Sequence, residues 1–492
     1  MKKHLISISV AIGFSLVAFA QIPKKAQGVE PRQLFKIQQA SPEFQKSWTS
    51  IPMIFKGGDV IALGKKLVVN QEEFGINQEE PRFQVQFLSD EKNDAAAFSV
   101  YLSGNDVYVA GVERQYGTDP VLLERFTSKA TIWKNGTIYQ HLGESQYNSA
   151  ANSIFISGDD VYAVGYETDG RPKNQGFFLA NGPVFQRFLN EVQGGEIVGN
   201  HSSAIIWKNG KVFERLSDGK TSVEAKSIFI SGKDVYVAVE ADLSTLWGKA
   251  QLLKNGKDQS LEGVNYRKAS VANSVFVLGN DVYVAGAKRD SQPGVLSTGT
   301  PFHAVIWKNR KEYQRLTDGK FDGEAFSIFV SGNDIYAAGI ENNSRKEEFA
   351  TIWKNGKILY RLNDTKFEGL SETILEGKAK SIFVSGNDVY VAGWIRSGSL
   401  YTHTTYALVQ KPGNRKDAFG LMHPIYEVEK YSVETNIPVA ILWKNGQVYS
   451  RFGDGKSASE AHSVVVSGDD IYVAGFVTNK QGNRVATLWK GK

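Results

Sequence analysis

Seven stretches of this chain carry apolar side chains at odd and even positions alike, each interrupted by a glycine-led turn. They read Ser-Ile-Phe-Val-Ser-Gly-Asn-Asp-Val-Tyr-Val-Ala-Gly or a close variant, starting at Ser99, Ser153, Ser227, Ser274, Ser327, Ser381 and Ser463. Segments such as Ile382-Phe383-Val384 and Val389-Tyr390-Val391-Ala392 leave no solvent side, so they predict strands covered on both faces. A second pattern alternates with the first: Ala-Thr-Ile-Trp-Lys-Asn-Gly, with its tryptophan at Trp133, Trp207, Trp307, Trp353, Trp443 and Trp489. The third copy has Leu253 in that frame. The residues that follow are more polar (Glu312 to Leu316, Val448 to Phe452), as suits an outer edge strand.

Each half-repeat predicts a hairpin with an identifiable turn. Gly104-Asn105, Gly158-Asp159 and Gly332-Asn333 lead with glycine, as a type II′ turn requires, whereas Asn135-Gly136, Asn209-Gly210, Asn355-Gly356 and Asn445-Gly446 signal type I′. Four strands per repeat, A to D, follow, with tight A–B and C–D turns. Sheets covered on both faces and repeated in series predict an all-β fold, a single β-propeller of four-stranded antiparallel blades. The pattern resembles secreted bacterial propeller-repeat proteins in general, broadly like the kelch and quinoprotein-type propellers. The resemblance is architectural and carries no function, since the paired glycines of kelch and the docking motif of the quinoprotein repeat are absent.

The last repeat stops after strand C, at Ala486 to Lys490, so an N-terminal strand must complete the last blade. Met53 to Gly64 follows the A–B template, and Leu34 to Gln38 lies near where a preceding D strand belongs. Counting both gives the expectation of eight blades, closed by residues 33–39. The alternative is seven blades, closed by residues 83–88.

The first twenty residues predict a signal peptide: Lys2 and Lys3, an apolar stretch from Leu5 to Phe19, and Ala18-Phe19-Ala20 before Gln21. Residues 21–32 then form a leader segment and 33–492 the propeller, placed in the periplasm or outside the cell. The chain has no cysteine, which excludes disulfides, thiolate metal sites and cysteine nucleophiles. Glycine is abundant at 48 residues, in keeping with many turns. The net charge of +5 falls to +3 without Lys2 and Lys3 (5 − 2), too even a balance for a nucleic-acid footprint. No further apolar run long enough to span a membrane follows the leader.

Repeated residues are expected to be scaffold. The tryptophans read as inter-blade wedges, and Asp106, Asp160, Asp234, Asp281, Asp334, Asp388 and Asp470 as hydrogen-bonders at the strand start. Arg215, Arg315, Arg361 and Arg451 read as edge protection. Gly219-Lys220-Thr221 and Gly455-Lys456-Ser457 imitate half of a phosphate loop but lack its first glycine and its helix. Asp218, Asp318 and Asp454 belong to turns joining D to A. His141, His201, His303, His403, His423 and His462 show no metal-ligand spacing, so no metal, cofactor or catalytic residue is expected.

Two B–C connections break the rhythm, at 168–203 and 395–439, and long connections of this kind tend to carry function. They hold the candidate ligand-binding residues Phe177, Phe178 and Arg187, beside Phe185 and Phe188, and Tyr401, His403, Tyr406, Arg415, His423 and Tyr426, beside Tyr431. The expected function is a non-enzymatic module binding a protein or glycan on the loop-bearing face. The alternatives are an enzyme acting on polysaccharide or peptide at the channel mouth, and a scaffold subunit of an envelope complex.

Overall fold

The computed structural model describes residues 83–116, 126–143, 147–168, 202–217, 221–241, 248–264, 269–290, 300–362, 374–397, 401–416, 422–435, 437–453 and 457–492, together with N-terminal strands. Seven four-stranded antiparallel sheets follow one another along the chain. Their first strands are Asp94–Ser103, Ser149–Ser157, Val223–Ser231, Ser270–Leu278, Gly323–Ser331, Ile374–Ser385 and Ser459–Ser467, which number blades 1 to 7. These strands stand side by side in a closed ring, the seventh against the first. The protein is a seven-bladed β-propeller.

The expectation of eight blades is therefore corrected. Blade 7 takes its outer strand from Gln84–Phe87, which pairs with Arg484–Gly491 through Lys490↔Gln84 and Thr487↔Phe87. Residues 84–87 lie just before the first strand of blade 1, so closure needs only a short connection. Residues 33–39 do not close the ring: Arg32–Phe35 pairs with Ile51–Lys56, which pairs in turn with Asp59–Ala62. The hairpin read in Met53 to Gly64 thus exists, but no Trp-Lys-Asn-Gly half follows to complete a blade. These strands and a hairpin of His4–Val10 with Phe14–Ala20 belong to a unit (Met1–Glu80 with Lys366–Glu372) separate from the propeller unit.

The turns take the forms their residues dictate. Asn135 and Gly136 both have positive φ (52° and 87°), as type I′ demands, while Gly104 alone does so in its turn (57°). A side-chain clasp backs each Asn-Gly turn. In blade 1 the Asn135 amide donates to Asp106 (2.7 Å) and accepts from the Val107 N–H (2.9 Å), and Lys134 pairs with Asp106 (2.7 Å). The clasp recurs in blades 2 to 6, so the repeated Lys-Asn and Asp serve the fold.

The six tryptophans of the Ala-Thr-Ile-Trp-Lys-Asn-Gly repeat are buried. Trp207 of blade 2 packs with Tyr108, Ala110 and Ile132 of blade 1, and Trp133 of blade 1 with Ala474 and Leu488 of blade 7. The rings of Trp133, Trp207, Trp307, Trp353 and Trp489 are wedges driven into the preceding blade. Two strand D arginines pair with carboxylates of strand B, Arg215 with Glu167 (2.8 Å) and Arg361 with Glu341 (2.7 Å), while Arg315 pairs with Asp290, just past strand B, and with Glu312 of its own strand.

The second long insertion is not a structureless loop. Tyr401–Lys416 and Met422–Thr435 form a two-stranded antiparallel ribbon between the second and third strands of blade 6. Both segments are rich in β-branched and aromatic residues, which suit a hairpin. Among the described residues no helix is long and apolar enough to cross a membrane.

Candidate functional site

In every blade the pairing of strands A and B slips by one residue just before the repeated serine. The bulged residues are Phe98, Asn152, Lys226, Asn273, Phe326, Lys380 and His462. A bulge bends its strand and re-aims the extra side chain. Here those side chains reach the neighbouring inner strands: Asn152 donates to the Ala225 carbonyl (2.9 Å), Asn273 to that of Ala325 (3.0 Å), and His462 Nδ1 lies 2.9 Å from that of Ala97. The bulges thus ring the central channel.

The channel is layered. Strand A runs from the side of the long connections to the side of the tight turns, so residues before the bulge lie nearer the loop-bearing mouth. After the bulge comes a belt of serines, each accepting from a backbone N–H of the next blade. Two residues further stands an aromatic collar. Tyr101, Phe155, Phe229, Phe276, Phe329 and Phe383 follow one another at centroid distances of 4.9 to 5.1 Å, with Val465 at the seventh place. The ion-paired groups described next lie on the loop-facing side of this collar, whereas Asp159, Lys233 and Asp469 stand in the A–B turns beyond it.

At that mouth the wall is chemically divided. Across blades 7, 1 and 2 it carries an aromatic patch, with Phe98 and Tyr166 packed on Ala96, Val112, Ala150 and Phe476, and Arg484 standing 5.5 Å over the Phe476 ring. From blade 3 to blade 7 it is charged. Lys226 bridges Glu224 and Glu240, the latter at 3.5 Å. Asn273 donates to Glu324 (2.7 Å), Lys378 pairs with Glu348 (2.9 Å), and Glu460 lies 3.2 Å from His462 Nε2. Arg396 sits over the Trp394 ring (5.0 Å) and pairs with Glu376 (3.0 Å).

The environment sets the ionisation of these groups. Burial raises the Glu240 carboxyl above its ordinary range; Lys226 opposes the rise, while Glu224 and Glu324 add to it. Burial also works against the Lys226 charge, but Glu224 and Glu240 outweigh it and hold the ammonium above its usual range. Burial, helped by Glu224, pushes the Tyr166 phenol up to about 12. Burial would raise Glu460, yet His462, Lys380 and Arg396 bring it below the usual range.

Of the residues singled out from the sequence, Phe177, Phe178 and Arg187 lie outside the described residues, as do Phe185 and Phe188. Tyr401, His403, Tyr406, Arg415, His423 and Tyr426 fall on the ribbon. Its backbone register places Arg415 opposite His423 and Tyr426 opposite Gln410. The channel residues were not singled out, except His462. The signal available was that one position, just before the repeated serine, varies (Phe, Asn, Lys, Asn, Phe, Lys, His) inside an otherwise regular repeat.

No protein-family model matches the chain, and no curated protein does. Among solved structures it is similar to a protein of unknown function from Dyadobacter fermentans, with 11% identity and a TM-score of 0.40, over 84% of this chain and 99% of that one. It is similar to the extracellular domains of Drosophila semaphorin 1b (8%, TM-score 0.38, 84% and 87%). It is also similar to a Trypanosoma rangeli sialidase solved with sialic acid (9%, TM-score 0.35, 83% and 59%).

Proposed function

We propose that this chain is an exported, non-catalytic binding propeller that takes a protein segment or a glycan chain at the loop-facing mouth of its channel. The observation that supports this is the divided wall, with the aromatic patch of Phe98, Tyr166 and Phe476 facing the charged crescent of blades 3 to 7. Apolar surface with a few placed polar groups is the usual make-up of a ligand site. The two long connections, with Phe177, Phe178, Arg187, Tyr401, His403, Tyr406, Arg415, His423 and Tyr426, would complete the mouth.

The full chain is to be probed against arrays of oligosaccharides and of peptides. Deleting 169–201 or 398–436 should abolish capture of the ligands found while far-ultraviolet circular dichroism keeps its strand signature. Capture that survives both deletions and the Lys226→Met/Glu324→Gln double variant would sink this reading. A hydrolytic reading is favoured by one observation, that the loop-facing mouth holds both the Glu460–His462 pair of blade 7 and, on blade 3, a Glu240 carboxyl that burial raises. Release of shortened products from a captured ligand, lost in Glu240→Gln, would replace binding with catalysis.

A further inference from the structure

We propose that Lys380 is a nucleophilic amine that captures an aldehyde or ketone in the channel as a Schiff base. The inference goes beyond ligand binding at the mouth and does not depend on it.

Two lysines occupy the bulge position, and they stand in opposite surroundings. Lys226 of blade 3 is held between Glu224 and Glu240. Lys380 of blade 6 has no carboxylate within ion-pair distance among the described residues. Its ammonium stands 4.5 Å over the Phe326 ring of blade 5. Lys378, on the same side of its strand, is taken by Glu348. The groups facing Lys380 are Lys378 from its own strand, Glu324 and Glu348 from blade 5, and Glu460 from blade 7. Burial, then the Lys378 charge, lowers the amine below the ordinary lysine range against the pull of those three carboxylates. A desolvated lysine beside a second cation is the arrangement that activates an amine as a nucleophile.

The chemistry balances without a further reactant. The Lys380 nitrogen forms a bond to the carbonyl carbon, giving a carbinolamine. The carbon–oxygen bond then breaks, and the oxygen leaves as water with the two protons that the neutral amine brought. Nothing is oxidised or reduced.

The test uses the full chain, glycolaldehyde as an uncharged carbonyl probe, and cyanoborohydride to trap the imine, with peptide mapping by mass spectrometry. Lys380 should be labelled faster at pH 7 than Lys226 and than the exposed Lys320. Lys378→Met, which removes the neighbouring charge, should move the pH of half-maximal Lys380 labelling upward; a lysine with only a packing role would show no such shift. Lys380→Arg should remove the fast site and leave thermal melting unchanged. Labelling of Lys380 no faster than of Lys320, or no shift in Lys378→Met, overturns the proposal. Fast labelling combined with no array ligand would leave Lys380 chemistry standing and defeat the binding reading alone.

Discussion

The Ser99 hydroxyl of blade 1 accepts the backbone N–H of Ile154 in blade 2, at 3.4 Å. The relationship repeats around the ring until Ser463 of blade 7 accepts from Val100 of blade 1, at 3.2 Å. An innermost strand is an edge strand, and its axis-facing N–H groups have no ladder partner. The serine belt supplies one to every blade, which explains why serine begins each repeat. Ser153→Ala should leave the Ile228 N–H unsatisfied and cost about 1 kcal/mol. Urea unfolding monitored by tryptophan fluorescence measures it, and Ser153→Thr, which keeps the hydroxyl, should recover most of the loss.

Blade 4 departs from the turn chemistry of its neighbours. Arg310 follows Asn309 where the other Asn turns have glycine, and both residues are left-handed, with φ of 74° and 52°. A side chain in that region costs about 1–2 kcal/mol. The Arg310 carbonyl accepts from the Glu262 N–H at 2.8 Å, a contact that glycine retains. Arg310→Gly should therefore stabilise the propeller by roughly 0.5 to 1 kcal/mol, after allowing for glycine's greater freedom when unfolded. A higher melting temperature by calorimetry is the expected result.

Ring closure concentrates on Asp94. Its carboxylate takes three hydrogen bonds from Arg484 of blade 7 and one from Arg114, joining the two ends of the ring. Burial works against the charge, but the two arginines prevail and hold the carboxyl below the ordinary aspartate range. A depressed folded-state pKa gives stability that is complete above the unfolded value, near ~3.9, and lost as pH falls through the folded one. Asp94→Asn should lower stability by about 3 kcal/mol at pH 7, because it removes the buried carboxylate from its ion pairs with both arginines. Unfolding curves taken at descending pH should show the gap between variant and wild type closing below about pH 4.

The repeats could be read from the sequence because each rests on local chemistry: Asn-Gly for type I′, Gly-Asn for type II′, apolar runs for doubly covered strands. Blade count could not, since it depends on which N-terminal segment pairs with Arg484–Gly491. Gln84–Phe87 and residues 33–39 looked alike in pattern, and only three-dimensional closure separates them. The channel was hidden for a different reason. Glu224, Glu324 and Glu460 are far apart in sequence and polar residues in apolar strands, so they read as interruptions until the bulges turn them to a common axis. The ribbon of Tyr401–Lys416 reads as loop from its length alone, although its β-branched composition suits a hairpin.

The tryptophan wedges offer a comparison within one molecule. Trp207 and Trp307 are both fully buried between blades, so replacing either with leucine removes nearly the same apolar area. They differ at the indole nitrogen. Trp307 donates to the Glu262 carbonyl at 2.9 Å, whereas the Trp207 nitrogen is buried without a partner among the described residues. Leucine at 207 removes an unsatisfied donor, which offsets part of the packing loss; leucine at 307 strands a carbonyl instead. Blade 3 carries Leu253 at this place and keeps its first three strands, although its fourth is only Lys257–Asp258. Trp207→Leu should therefore cost about 2 kcal/mol, and Trp307→Leu about 1 kcal/mol more. Chemical denaturation of both variants measures the difference, and equal losses would show that the Glu262 contact contributes nothing to the wedge.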